Sequence, residues 1–138
     1  MALGKINTDE SLECLINIAK DPDQFVRSSS LYTALGNFSS GEVENILIDG
    51  LSDPNWYSRN AALNALYNSN PKTVVKYVIE ALKDDDPRIK RNALDLILLK
   101  TPQEAENELK RLVNDKDFEV RFYAIQALKK LYDQSPMN

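Results

Sequence analysis

Apolar residues recur along the chain at two spacings at once. Within short stretches they fall three and four residues apart, the period of a helix with one buried face. Leu12, Leu15, Ile16 and Ala19 do so first, then Val43, Leu47 and Leu51. Over longer range the same positions return every 31 residues: Leu35, Leu66, Ile97 and Leu128 form one row, Leu47, Val78 and Leu109 a second, and Leu51, Leu82 and Val113 a third. Two further rows are rich in alanine, Leu31-Ala62-Ala93-Ala124 and Ala34-Ala65-Leu96-Ala127. Small side chains at such positions let neighbouring helices approach closely. A fixed period of this length means stacked helical hairpins, each burying its apolar face against its neighbours.

Polar residues mark the turns. Asp21, Asp53, Asp84 and Asp115 stand 32, 31 and 31 residues apart, and Arg27, Arg59, Lys90 and Arg121 follow at the same intervals. A carboxylate and a cation repeated in every unit serve stacking rather than catalysis, and the cations are predicted to bond loop carboxylates of adjoining units. Between Arg27 and Leu35 the first unit carries one residue more than the others, about 100° of helical phase. Asp23, Asn55 and Asp86-Pro87 are expected to cap second helices. First helices are expected to start at a Ser39/Glu42 capping box, at Asn70-Pro71, and at Thr101-Pro102 with Glu104. Gly36 is expected to end a helix in the left-handed conformation. The reading is eight helices in four units, 8–38, 39–69, 70–100 and 101–132, within a single domain of residues 1–138. Residues 2–6 echo residues 34–38 as a vestigial cap or truncated repeat, and residues 133–138 read as a polar tail.

With the turn, the basic residue and the alanine-rich second helix in place, LSDPNWYSRNAALNAL (residues 51–66) and VNDKDFEVRFYAIQAL (residues 113–128) resemble HEAT-like repeats of the short bacterial and archaeal kind, the type also found in phycobilin lyases. The resemblance spans residues 9–131. It implies an all-α, right-handed α-α superhelix of about four hairpins, with second helices lining a concave face that holds partners. On that face the candidate binding residues are Asn60, Asn64, Tyr67, Arg91, Asp95, Phe122, Gln126 and Lys129, beside Ser29 and Thr33 in the first unit. Aromatic side chains and arginine commonly anchor interfaces. Phe25, Trp56 and Phe118 share another row, with Tyr57 beside Trp56. These aromatics are expected to wedge between units; exposed, they would form a second binding ridge.

Composition narrows the function. Net charge is 17 − 21 = −4, and residues 1–69 hold four Lys/Arg against nine Asp/Glu. Arg88, Lys90, Arg91, Lys129 and Lys130 could form a basic patch, but Asp84, Asp85, Asp86 and Asp95 lie among them, so nucleic-acid binding ranks third. With no histidine and one cysteine, no metal or cofactor is expected, and the HEAT-like iron hydroxylases are excluded. Four glycines form no phosphate loop, and no nucleophile signature is present. Cys14 reads as a small buried hydrophobe. Without a membrane-length apolar run or a leader, the chain reads as soluble and cytoplasmic, a monomer or weak homo-oligomer. The expected function is a non-enzymatic adaptor for a protein partner, the alternative an accessory subunit of a phycobilin lyase-like assembly.

Overall fold

The structure is a computed structural model that describes residues 9–23, 29–69 and 74–134. Eight α-helices occur among the described residues: α1 Asp9–Ala19, α2 Ser29–Leu35, α3 Gly41–Gly50, α4 Trp56–Ser69, α5 Val75–Ala81, α6 Pro87–Leu99, α7 Glu106–Leu112 and α8 Phe118–Asp133. A 3₁₀ turn, Gln103–Ala105, precedes α7, and no strand is present among the described residues. None of the described helices is long and apolar enough to cross a membrane. The chain divides into two compact units, Met1–Val74 and Val75–Asn138. In the first, α3 packs on α4 and α2 runs against α4; in the second, α7 packs on α8 and α6 runs against α8. Second helix therefore meets second helix inside each unit.

The acidic row has one structural job in all four copies. The Oδ1 of Asp21 accepts from the backbone N–H of Asp23 at 2.8 Å, and Asp53, Asp84 and Asp115 accept from Asn55, Asp86 and Asp117 at 2.9 Å each. A side chain bonding the backbone two residues on fixes the turn between helices. Lys90 crosses to the carboxylate of the next hairpin, as its spacing predicts, with Nζ 2.6 Å from Asp115 Oδ2. Among the described residues Arg121 meets no carboxylate of an adjoining unit, contrary to expectation, and both it and Arg59 make bonds that the spacing does not announce. Each folds back onto its own loop, donating to the carbonyls of Asp53 and Pro54 at 2.9 and 3.2 Å, and of Asp115 and Lys116 at 2.7 and 3.1 Å. Arg27 lies outside the described residues.

Caps show where local chemistry and packing disagree. Asp86 caps α6 as expected, its Oδ1 accepting from Arg88 N at 2.9 Å with Pro87 in the first turn. Asp117 does the same for α8 through Val120 N at 3.0 Å. Ser40, not Ser39, caps α3, accepting from Val43 N at 3.2 Å. The helix starts one residue later than the Ser39/Glu42 box requires, and Glu42 instead receives Lys20 at 3.3 Å. Thr101 is no cap either: its buried hydroxyl donates to Gln134 Oε1 at 3.0 Å, and the chain enters α7 through the 3₁₀ turn. The helix starts expected after Asp23 and at Asn70-Pro71 fall outside the described residues.

The repeat rows supply the core. Leu35, Leu66 and Ile97, then Leu47, Val78 and Leu109, then Ala62, Ala93 and Ala124 are all buried. Leu51 and Val113 are only half-buried, and Leu112 is fully buried at the end of α7. Cys14 is exposed, contrary to expectation. The buried face of α1 is set by Ile16 and Ala19, and Cys14, two residues before Ile16, lies about 200° round the helix.

Gly36 does not take the left-handed conformation; α2 unwinds through three-residue turns, Asn37 N to Ala34 O at 3.2 Å and Phe38 N to Leu35 O at 3.0 Å. Glycine is required there by packing, since a Cβ would stand 2.9 Å from Ala65 Cβ. Gly50 is confined likewise, 2.8 Å from the Tyr32 ring and 2.9 Å from Ala62 Cβ, whereas Gly41 faces open space. Denaturant titration should therefore show Gly50→Ala costing about 1–3 kcal/mol by overpacking. Gly41→Ala should be neutral or gain up to about 1 kcal/mol through the unfolded chain.

Candidate functional site

The contact that demands Gly36 also shapes a surface. Because α2 and α4 meet through Gly36 and Ala65, larger residues are pushed to either side and leave a groove of about 390 Å³. Thr33, Gly36 and Asn37 line it from the end of α2. Trp56, Tyr57, Asn60, Ala61, Asn64, Ala65 and Asn68 line it from α4. Asn60 and Asn64 from the predicted concave face thus join Trp56 and Tyr57 from the predicted aromatic ridge. The two rings meet edge to face, centroids 6.0 Å apart at 82°, with Tyr57 exposed and Trp56 half-buried. Tyr67 is half-buried and does not line this groove. Asn37 and Asn68 were missed, although a signal existed: they stand one repeat apart, and Asn68 follows Asn64 by one helical turn. Asn37 also donates to its own helix end, Nδ2 to Ala34 O at 3.3 Å.

The predicted face of the second unit has a different character. Arg91 pairs with Glu119 across α6 and α8. That hydrogen bond outweighs desolvation and holds the guanidinium above its ordinary pKa, so Arg91 stays charged. Asp95, Gln126 and Lys129 are exposed. Phe122 is exposed as well and meets Tyr123 edge to face at 5.4 Å. Phe118 does not wedge into packing: it too is exposed, because α8 buries Val120, Ala124, Ala127 and Leu131, and Phe118 stands about 200° round the helix from Val120. Phe25 lies outside the described residues.

Four of the five residues in the possible basic patch are already engaged. Arg88 bonds Asp86 at 2.8 Å, Lys90 bonds Asp115, Arg91 bonds Glu119, and Lys130 donates to the carbonyl of Leu98. Binding to a nucleic-acid backbone draws on several uncompensated cations, and this arrangement compensates most of them. Among the described residues no group of three or more His, Cys, Asp or Glu side chains is placed to hold a metal ion.

Family models of HEAT repeats match residues 1–66, 29–95 and 75–136, three overlapping windows that take in nearly the whole chain. No curated protein matches it.

Proposed function

The chain belongs to the HEAT-repeat family, and from that premise we propose a non-enzymatic adaptor that holds another protein on the faces of its second helices, with the α2–α4 groove as principal contact. HEAT repeats in general mediate protein–protein interaction. The observation that carries the finer reading is the row Asn60, Asn64 and Asn68 along one wall of the groove. Residues four apart on a helix rise about 6 Å. Alternate residues of an extended chain are about 6.6–6.8 Å apart. A carboxamide offers both a donor and an acceptor, so successive asparagines suit the backbone of an extended segment laid along α4. Trp56 and Tyr57 at one end of the groove supply apolar surface for a side chain of that segment.

The test is selection of a displayed peptide library on the full chain. Selected peptides should bind Asn60→Ala/Asn64→Ala/Asn68→Ala at least about tenfold more weakly, with helical content and melting unchanged. Peptides held equally well by the triple variant would place the site elsewhere.

A further inference from the structure

Helix α8 carries apolar seams on two opposite sides. One, Val120, Ala124, Ala127 and Leu131, is buried in the second unit. The other runs Phe118, Phe122, Ile125, Lys129, Tyr132, in steps of four, three, four and three residues, the seam along which one helix packs on another. Its apolar members are 69, 55, 52 and 49% exposed. No described helix of the unit covers them.

This seam continues a contact already made inside the unit. Helix α6 meets α8 through Arg91, which bonds Glu119, and through Leu98, whose carbonyl receives Lys130. One repeat of 31 residues later those two positions are Phe122 and Lys129, both on the exposed seam. Tyr32, Leu63 and Leu94 occupy the row of Ile125 and are all buried. The face that α6 uses to hold α8 is therefore presented by α8 largely uncovered among the described residues, the Tyr132 hydroxyl at its end donating to Glu106 Oε1 of α7 at 3.2 Å.

We propose that this seam pairs with the same seam of a second copy, the two α8 helices antiparallel about a two-fold axis at Ile125. The seam is complementary to its own reverse. Phe118 and Tyr132 lie seven residues to either side of Ile125 and meet as an aromatic pair, while Phe122 and Lys129, three before and four after, meet as ring and cation. Lys129 is thereby accommodated rather than buried alone, and Glu119, flanking the seam, is already neutralised by Arg91. Three partly exposed aromatic residues and an isoleucine offer on the order of 400 Å² of apolar surface per copy. With a polar rim, that approaches the roughly 800 Å² per partner of a stable interface. An interface in which the same patch serves both subunits is the commonest route to a dimer.

The experiment is sedimentation of the full chain from low to high micromolar concentration, beside Phe122→Glu and Ile125→Glu. The wild type should sediment as a dimer, and each variant should self-associate at least about 30-fold more weakly while keeping wild-type circular dichroism and melting at dilute, monomeric concentration. Oxidation of the double variant Cys14→Ser/Ile125→Cys should then link two copies through the introduced thiol, the one thiol left in the chain, because a two-fold axis at this position brings it to its own symmetry mate. A wild type that stays monomeric overturns the proposal, as does a dimer that survives both glutamates. A dimer that fails to cross-link, pointing to a head-to-tail arrangement, overturns it as well.

Discussion

Ala62→Asp and Ala124→Asp are expected to abolish the cooperative melting transition of this chain. Both alanines are completely buried. Ala62 stands where α3 crosses α4 so closely that a Cβ on Gly50 would be 2.9 Å away. An aspartate at either position has no room, and its charge leaves water without a partner. Burying an unpaired polar or charged group and overpacking a helix contact each cost several kcal/mol. Together they reach about 5 kcal/mol or more, against a total stability of about 5–15 kcal/mol for a domain of ordinary size. Circular dichroism through a thermal ramp reads the result directly. A wild-type melting curve for either variant would mean that the alanine rows are not the surfaces on which helices meet.

Breaking the Lys90–Asp115 pair should be nearly as severe and should add a pH signature. The two side chains are only 10 and 6% exposed and 2.6 Å apart. Removing one leaves the other charge buried, a loss of about 3–5 kcal/mol. Asp115→Ala also removes the acceptor that fixes the turn to Asp117, whereas Asp115→Asn can keep that turn. Burial works to raise the pKa of Asp115. The hydrogen bond from Lys90, the backbone N–H of Asp117 and the charges of Lys90 and Arg111 outweigh it, so the carboxyl lies below its ordinary value.

A carboxyl whose pKa is lowered by folding contributes its stability above the unfolded-state pKa and loses it as pH falls through the folded one. Melting temperature in the wild type should therefore drop steeply on acidification below about pH 4, and Asp115→Asn should show a flatter acid limb from a lower starting point. Parallel acid limbs would show that this pair does not carry the dependence.

The candidate groove shows how far the residues alone reach. Asn60 and Asn64 are legible because they face away from the buried rows of α4. Their union with Trp56 and Tyr57 is not, since the sequence assigns those two to a separate ridge. What joins them is the approach of α2 to α4 at Gly36, a glycine that reads in sequence as a helix terminator and acts in the fold as a spacer. Ser39 and Thr101 fail as caps for a related reason: a cap depends on where the helix starts, and a shift of one residue hands the role to Ser40.

The sequence by itself determined the repeat: helices whose buried face returns every 31 residues, four aspartates spaced to stand at the turns, and alanines where helices cross. Those features are local, set by rise and angle per residue and by bonds reaching two positions along the chain. Only the tertiary structure decided which copy of a row is covered. Tyr32, Leu63, Leu94 and Ile125 share one register, yet the first three are buried and Ile125 is exposed. Phe118 opens α8 in the open, and Cys14 sits on the outer side of α1 although apolar residues surround it in sequence. Burial belongs to a pair of surfaces rather than to a residue, so a repeat fixes which side chains are fit to be buried and the arrangement of neighbouring helices settles which of them are.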